Sequence, residues 1–187
     1  MKYLIVGLGN PGEEYKNTRH NVGFEILDSF AKTSKIFFKS EKYANISSLK
    51  FKGRTLHLIK PTTFMNLSGK AVSYWLQKYK VKITNLLIIT DDTALPFGAL
   101  RLREKGNDGG HNGLRDINKF LGHHNYARLR FGVGNEFSSG SQADYVLSNF
   151  EKKEEKELKD KLSQAVKVIQ AFTTIGITLT MSNYNRK

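Results

Sequence analysis

Cysteine is absent from this chain of 187 residues, which excludes disulfide bonds, thiolate metal sites and a thiol nucleophile. Long apolar runs are absent as well, because no stretch approaches the roughly 20 residues that a membrane-spanning helix needs. The first residues lead directly into a predicted strand, without the basic and apolar segments of a secretory signal. We therefore expect a cytoplasmic protein with no membrane partner.

Acidic residues are few relative to basic ones: 17 Asp and Glu stand against 30 Lys and Arg, a formal charge of +13. This excess favours a polyanionic partner, because each phosphate that a Lys or Arg neutralises releases counterions. Charge alone does not distinguish RNA from DNA, and it can also serve solubility alone. The basic residues concentrate in residues 39–60, in Arg101, Arg103 and Lys105, and in Arg128 and Arg130.

Apolar periodicity predicts strands that mostly alternate with helices. We expect strands at residues 4–6, 43–51, 55–59, 86–90, 100–103 and 129–133, with a further element at residues 36–40. Helices are expected at residues 20–32, 68–79 (capped by Ser68), 110–121, 141–149 and 153–174, and residues 178–187 are expected to be frayed. These elements predict a single α/β domain over residues 1–187. Its mixed, mostly parallel twisted sheet would lie between two layers of helices.

The chain is organised around a glycine-rich loop that follows the first strand. Residues 7–12, Gly-Leu-Gly-Asn-Pro-Gly, match a dinucleotide-binding fingerprint. In a true fingerprint the helix starts at once and meets the pyrophosphate, whereas Pro11 and the polar residues 13–19 delay it here. No acidic residue ends a second strand about 20 residues further on, where a ribose partner would be expected. The competing interpretation is that His20, where the loop meets the helix, is a reactive group.

Polar clusters stand at four points where the chain leaves a predicted strand: residues 10–21, 60–70, 91–92 and 106–113. In open α/β sheets, ligands bind outside the carboxyl ends of the strands. These four clusters contain histidine, carboxylate and several asparagine side chains. We therefore expect the functional site at that edge of the sheet.

Five sequence blocks occur in a fixed order along the chain. They are Gly-Leu-Gly-Asn-Pro-Gly with Thr-Arg-His-Asn-Val-Gly, Lys-Pro-Thr-Thr-Phe-Met-Asn-Leu-Ser-Gly, Asp-Asp before Leu95-Pro96, Gly-Gly-His-Asn-Gly-Leu-Arg-Asp-Ile, and Arg-Leu-Arg-Phe-Gly-Val-Gly. Through these blocks, residues 3 to about 150 resemble the bacterial-type peptidyl-tRNA hydrolases. The resemblance implies a monomeric α/β hydrolase without a cofactor. Such an enzyme cleaves the ester that joins a peptide to the 3′-terminal adenosine of tRNA.

Ester hydrolysis needs a nucleophile, a base and a group that stabilises the developing oxyanion. Because the chain has neither cysteine nor a Gly-x-Ser-x-Gly motif, water is the expected nucleophile and His20 the expected general base. An imidazole with an ordinary pKa near 6.5 is mostly neutral at pH 7 and can accept a proton. Asp91, which follows a buried strand and matches the family position, is expected to orient His20 and stabilise its cation. Asp92 is the competing carboxylate.

The resemblance implies further roles for three asparagines. Asn10 would sense the acylated state of the substrate, while Asn66 and Asn112 would hold the peptide and the terminal nucleotide. We also expect Asn10 or Asn66 to hold the attacking water or the oxyanion. Asn66 and Asn112 have a simpler alternative, in which each caps a neighbouring helix.

Two aromatic residues and a second histidine belong to the same predicted rim. Tyr15 and Phe64 offer flat faces to adenine or to the peptide, with core packing as the alternative. His111, which we group with the substrate-binding residues, is expected to support the rim through hydrogen bonds. The resemblance also implies that Arg103 and Arg130 hold the phosphate at the 5′ end of tRNA, a task that suits a planar guanidinium.

Two other functions remain open at this point. Asp91, Asp92 and Asp108 could bind Mg²⁺ and cleave phosphodiesters, which would make the protein a nuclease. Alternatively, the chain could be a non-catalytic RNA-binding module in which His20 is structural. The adjacent His123 and His124 lack a third ligand at a typical spacing, and we predict no resident metal.

Overall fold

The computed structural model describes residues 1–185, which form one seven-stranded sheet covered by helices on both faces. The strands run in the order β2-β3-β4-β1-β5-β7-β6 across the sheet. They are β1 (Lys2–Gly7), β2 (Lys39–Glu41), β3 (Ala44–Phe51), β4 (Arg54–Pro61), β5 (Leu86–Asp92), β6 (Leu100–Arg103) and β7 (Ala127–Gly132). The predicted α/β class and the predicted strands are confirmed.

The four central strands β4, β1, β5 and β7 are parallel to one another, while β2, β3 and β6 join through antiparallel pairings. The sheet is therefore mixed, and its parallel part is the centre. Strand β1 is buried from Tyr3 to Gly7, as a central parallel strand covered on both faces must be. The carboxyl ends of the four parallel strands meet at one side of the sheet, which we call the site edge.

Six α-helices within residues 1–185 connect and cover these strands. They are α1 (Val22–Thr33), α2 (Ser68–Tyr79), α3 (Asn112–Leu121), α4 (Gln142–Val146), α5 (Lys152–Ile175) and α6 (Ile177–Tyr184). One apolar core lies between the sheet and the pair α1 and α5, and a second lies between the opposite face and the pair α2 and α3. None of the helices among residues 1–185 is both long enough and apolar enough to span a bilayer.

The glycines of the first loop serve packing between strand and helix. A Cβ atom at Gly7 would lie 2.2 Å from the carbonyl oxygen of Gly23, so α1 can cross β1 only where both residues lack a side chain. At Gly9 a Cβ atom would meet the ring of Phe24 at 2.9 Å. The helix itself starts only at Val22, ten residues after the last glycine of the motif. Close packing therefore accounts for the resemblance to a dinucleotide fingerprint.

The prediction of a frayed end over residues 178–187 is wrong for most of that segment. Residues 177–184 form α6, and Thr180 is fully buried. The side chain of Asn185 accepts a hydrogen bond from the Leu102 amide at 2.8 Å and donates one to the Leu102 carbonyl at 2.9 Å. This amide occupies the free hydrogen-bonding side of the edge strand β6, which protects an edge from pairing with another chain. Residues 186 and 187 lie outside the described residues.

Candidate active site

A cavity of about 680 Å³ opens at the site edge, where the loops after β1, β4, β5 and β6 converge. It is lined by eight of the ten residues that the sequence predicted for the site: Asn10, His20, Phe64, Asn66, Asp91, His111, Asn112 and Arg130. Tyr15 and Arg103 do not line it. The topological argument from strand ends therefore brings most of the candidate site residues to one cavity.

His20 lies in a single 3₁₀ turn, Arg19–Asn21, between the glycine-rich loop and α1. Its Nδ1 atom is 3.0 Å from Oδ1 and 2.9 Å from Oδ2 of Asp91, the last but one residue of the buried strand β5. When Nδ1–H donates to this carboxylate, Nε2 is unprotonated and available to a substrate. The two residues are 71 positions apart in sequence, and the parallel pairing of β1 with β5 brings them together.

His111 is the second partner of Asp91, and its tautomer is fixed by a helix cap. It is the N-cap of α3, and its Nδ1 accepts hydrogen bonds from the amides of Gly113 at 3.1 Å and Leu114 at 3.3 Å. The proton must therefore be on Nε2, which lies 2.9 Å from Oδ1 of Asp91. Both ring nitrogens therefore have protein partners, which agrees with the expected supporting role of His111, and its contact with substrate stays a prediction.

The sequence predicted that Ser68 or Asn66 caps α2 and that Asn112 caps α3, and these predictions are wrong. The N-cap residues are Leu67 for α2 and His111 for α3. Asn112 is the first residue of α3, after the cap, and its amide oxygen instead accepts a hydrogen bond from Arg115 at 3.4 Å. Asn66 lies inside the 3₁₀ turn Met65–Leu67, and Ser68 is the first residue of α2. The Ser68 hydroxyl donates to the carbonyl of Met65 at 2.7 Å. Asn66 and Asn112 therefore keep exposed side chains at the cavity.

The contacts of buried Asp91 shift two pKa values in opposite directions: the pKa of Asp91 is lowered and the pKa of His20 is raised. Burial favours the neutral carboxyl, but the charges and hydrogen bonds of His20 and His111 outweigh it and hold the Asp91 pKa well below its usual range. For His20, burial lowers the pKa, yet the charge and hydrogen bond of Asp91 together raise it above 6.5. The pair therefore favours an ionised Asp91 that stabilises an imidazolium at His20.

Asn10 is held so that only one of its side-chain atoms remains free. Its Oδ1 accepts a hydrogen bond from the Met65 amide at 2.7 Å. Its backbone exchanges two hydrogen bonds, each of 2.9 Å, with the side chain of Asn21. The remaining polar atom, Nδ2, is a donor. Asn10 can therefore donate to a substrate oxygen at the cavity, whereas its side-chain oxygen is already hydrogen-bonded to the Met65 amide.

Arg19 and Asn21 belong to the first polar cluster of the sequence, which gave them no role, and the structure shows that they support the site from behind the cavity wall. The Arg19 guanidinium is buried and forms an ion pair of 2.7 Å with Glu154 of α5. It also donates to the hydroxyl of Ser148 at 3.0 Å and to the carbonyl of Asn149. These contacts fix the turn immediately before His20. Their only sequence signal is adjacency to that histidine, because Glu154 is 135 positions away.

The aromatic residues form a wall next to the cavity. Phe64 lines the cavity and is half exposed, and the Tyr15 ring packs edge-on against it with centroids 6.4 Å apart. Tyr15 is therefore one layer behind Phe64 rather than in the cavity. The exposed ring face of Phe64 is available for stacking.

The arginines of β6 and β7 share one face of the sheet. Arg101 is opposite Arg130 and Arg103 is opposite Arg128, so Arg103 and Arg130 are diagonal neighbours. Arg128 is buried and donates to the carbonyls of Asn107 and His124, which excludes it from the basic surface that the sequence suggested. Arg130 remains partly exposed, and its Nε lies 2.6 Å from Oδ2 of Asp92.

The three aspartates of the nuclease alternative do not converge on one point. Asp92 pairs with Arg130, and Asp108 accepts the Gly110 amide at 2.8 Å. Among residues 1–185, the cluster of possible metal ligands is instead His20, Asp91 and His111, whose ligand atoms lie within 4.8 Å of one another. Two imidazoles and a single carboxylate are not the all-oxygen set that Mg²⁺ prefers. The geometry therefore disfavours the nuclease.

Comparison with known proteins places this geometry in a family. The family model described as peptidyl-tRNA hydrolase matches residues 4–187. A peptidyl-tRNA hydrolase of Phocaeicola vulgatus is 52% identical and one of Cytophaga hutchinsonii 54% identical, each over 187 residues and the full length of both chains. A crystal structure of peptidyl-tRNA hydrolase from Acinetobacter baumannii superimposes with a TM-score of 0.90 at 33% identity, covering 98% of this chain and 94% of that one.

Proposed function

Because the chain belongs to the peptidyl-tRNA hydrolase family and hydrolyses peptidyl-tRNA, we propose that His20 and Asp91 carry the chemistry of that reaction. The single observation that supports this assignment is the contact of 2.9 Å between Nδ1 of His20 and the buried Asp91 carboxylate. It leaves Nε2 as a basic nitrogen at the wall of the cavity.

In the proposed reaction, Nε2 of His20 takes a proton from a water molecule as the water oxygen attacks the ester carbonyl carbon. The resulting imidazolium is stabilised by ionised Asp91, which also holds the ring in the required tautomer. Collapse of the tetrahedral intermediate breaks the bond to the ribose oxygen of the terminal adenosine. That oxygen receives the proton from His20, so free peptide and free tRNA leave and the base is regenerated. No metal or other cofactor is needed in this scheme.

The proposed oxyanion donor is Nδ2 of Asn10. We infer this role because the Met65 amide occupies the side-chain oxygen of Asn10 and the backbone of Asn10 is fixed by Asn21. A preorganised donor of this kind costs no reorganisation when charge develops on the carbonyl oxygen. The attacking water then has to be held elsewhere, and the exposed Asn66 at the cavity is the candidate.

We expect Asn10→Ala to lower kcat by about 10²- to 10³-fold with little change in KM, because an oxyanion donor acts mainly in the transition state. Asn10→Asp should lose at least as much, since a carboxylate would repel the oxyanion. Steady-state kinetics on an N-blocked aminoacyl-tRNA measure both variants. Asn125→Ala, an exposed asparagine in a loop, is the matched control. A loss confined to KM would assign Asn10 to ground-state binding instead.

The remaining rim residues are proposed to bind the two halves of the substrate. Phe64, backed by Tyr15, offers a ring face to adenine or to an apolar side chain. Asn66 and Asn112 offer uncharged amides to the peptide backbone and the terminal ribose. Arg103 and Arg130 are proposed to hold the 5′ phosphate, which Arg130 can do while its Nε remains paired with Asp92.

The cellular setting is also a proposal. The partner, peptidyl-tRNA, is a product of translation, and we propose that the protein acts in the cytoplasm. We further propose that it acts as a monomer and that residues 1–187 form one hydrolase domain, since the strands of residues 1–185 form a single sheet.

The test of the proposed function uses purified protein, an N-blocked aminoacyl-tRNA and its unblocked twin, each with and without EDTA. We expect release of the blocked amino acid, much slower release from the unblocked ester, and no effect of EDTA. Inhibition by EDTA would point to a metal held by the cluster of His20, Asp91 and His111. Binding of tRNA without any turnover would favour the RNA-binding module.

A further inference from the structure

Two lysines lie on a tyrosine ring at the site edge, outside the cavity. The Nζ atoms of Lys42 and Lys70 are 5.2 and 4.7 Å from the centroid of the Tyr43 ring. Lys42 Nζ is also 5.3 Å from the ring centroid of Tyr74, which packs edge-on against Tyr43. We call these four residues the lysine–tyrosine surface. Both lysines are exposed, and the lysines that pair with acids in the described part of the chain are others: Lys16, Lys39, Lys60 and Lys153.

The lysine–tyrosine surface adjoins the cavity. Lys42 and Tyr43 form the turn between β2 and β3, and Ala44 pairs with Pro61 at the carboxyl end of β4. Lys70 lies in the first turn of α2, four residues after Asn66, which lines the cavity. The lysine–tyrosine surface lies next to the end of β4, whereas Arg130 lies on β7, and the strands β1 and β5 run between them. The active site therefore has lysines on one side and an arginine on the other.

The turn that carries Lys42 and Tyr43 is held in an unusual conformation. Tyr43 has φ of 64°, a left-handed value that is rare for a bulky residue. The Tyr43 carbonyl accepts a hydrogen bond from the Thr62 amide at 2.8 Å, and the Lys42 carbonyl accepts one from Nε1 of Trp75 at 2.9 Å. Backbone strain that is maintained by surrounding contacts is concentrated at functional sites.

The other lysines of residues 39–60 do not share this position. Lys39 pairs with Glu41 at 3.8 Å, and Lys60 pairs with Asp28. Lys50 and Lys52 lie at the far end of the β3–β4 hairpin, where Phe51 pairs with Arg54. The basic segment seen in the sequence is thus divided between the two ends of the sheet, and Lys42 is its exposed cation at the site edge.

We propose that Lys42 and Lys70 bind phosphodiester groups of the single-stranded 3′ end of tRNA while the terminal ester occupies the cavity. The inference rests on the proposed function, because it concerns the same substrate. Phosphates next to the terminal nucleotide are present in every substrate molecule, whereas peptide side chains vary. Lysine is a compact point charge suited to phosphate, and Tyr43 and Tyr74, which are only partly exposed, hold the two ammonium groups in place.

The test compares three esters of one N-blocked amino acid: on adenosine, on the trinucleotide CCA and on tRNA. For Lys42→Gln/Lys70→Gln, we expect kcat/KM on the trinucleotide and tRNA esters to fall on the order of tenfold, entirely through KM. In a plot of log(kcat/KM) against the logarithm of salt concentration, the slope for this variant should be shallower than that of the wild type by about 1.4. This difference corresponds to two single-strand phosphate contacts. The adenosine ester has no phosphodiester and should be hydrolysed at the normal rate.

Two further variants make the test specific. Lys50→Gln/Lys52→Gln removes the same charge at the far end of the hairpin, where Lys52 Nζ also lies on a ring, 5.7 Å from the centroid of Phe51. This control should behave as the wild type, and Lys42→Arg/Lys70→Arg should retain most of the activity.

Four results would overturn the inference: equal losses in the two glutamine variants, an equal loss on the adenosine ester, a loss seen only with full tRNA, or a loss that follows the charge of the peptide. The last result would assign the surface to the peptide. If the wild type hydrolysed none of the three esters, the proposed function itself would fail, which is a different outcome.

Discussion

We expect His20→Ala to lower kcat on peptidyl-tRNA by about 10²- to 10⁴-fold, the range that a positioned general base contributes. The physical reason is that His20 presents the basic nitrogen at the cavity, while both nitrogens of His111 are engaged by Asp91 and by the cap of α3. Affinity for tRNA should survive, because an imidazole paired with a carboxylate adds no free positive charge to the phosphate-binding surface.

The measurement combines single-turnover kinetics with equilibrium binding of uncharged tRNA. His124→Ala removes an exposed histidine from a loop and should change neither quantity. If His20→Ala kept more than a tenth of the wild-type kcat, His20 would not be the base. A parallel loss of tRNA affinity and of folded protein would indicate a structural histidine.

The pH dependence of the wild type gives a second readout of the same group. The base must be neutral to accept a proton, so activity should rise with pH and level off above the pKa of His20. Burial lowers that pKa, but the charge and hydrogen bond of Asp91 raise it above 6.5, so the midpoint should lie on the alkaline side of 6.5. A midpoint below 6.5 would contradict the pairing of His20 with an ionised Asp91.

The sequence was sufficient to predict most of the elements and the edge of the sheet where the candidate site residues meet, because both depend on local signals. Apolar runs and their period mark β1 and β5, and a polar cluster after each strand marks the edge where they end together. His20 and Asp91 are predicted from this position at strand ends together with the family resemblance, and neither depends on the pairing between β1 and β5. The distance of 2.9 Å between them follows from that pairing.

Features that depend on contacts distant in sequence could not be predicted. The ion pair of Arg19 with Glu154 joins residues 135 positions apart, and no sequence pattern at either position predicts it. Arg128 and Arg130 look equivalent in the sequence, yet one is buried below a loop and the other faces the cavity. The orientation of the Asn10 amide is decided by the Met65 amide, which comes from a different loop.

The cap of α3 was missed for a local reason. Asparagine is a common N-cap and histidine is not, so propensity selected Asn112 over His111. The structure uses an imidazole because one ring can accept two amide hydrogen bonds through Nδ1 and donate to Asp91 through Nε2. Local propensity was overridden here by the needs of the site, as is common at functional positions.

The second large effect is expected for Asp91→Asn, which should lower kcat by about 10²- to 10⁴-fold although the imidazole of His20 remains. His111 must donate from Nε2, because its Nδ1 accepts the amides of α3, so it requires the oxygen of the new amide. The amide nitrogen would then stand at the position of Oδ2, 2.9 Å from Nδ1 of His20. The donor at the shorter of the two contacts of Nδ1 favours the tautomer with the proton on Nε2, where the base is needed, while a ring that still donates to the retained oxygen at 3.0 Å accounts for the residual activity. An Asp→Asn change in a hydrolase triad produces this wrong tautomer and a loss of comparable size.

Three comparisons distinguish this tautomer effect from simple damage. The double variant His20→Ala/Asp91→Asn should be no slower than His20→Ala alone, because the two residues act as one unit. The residual activity of Asp91→Asn should have a pH midpoint below that of the wild type, since burial of His20 persists while the stabilising anion is lost. Asp92→Asn, which removes the neighbouring carboxylate paired with Arg130, should leave kcat unchanged and affect KM. If Asp92→Asn lowered kcat more than Asp91→Asn, the carboxylate that orients His20 would be Asp92. The contact between His20 and Asp91 would then have to change when substrate binds.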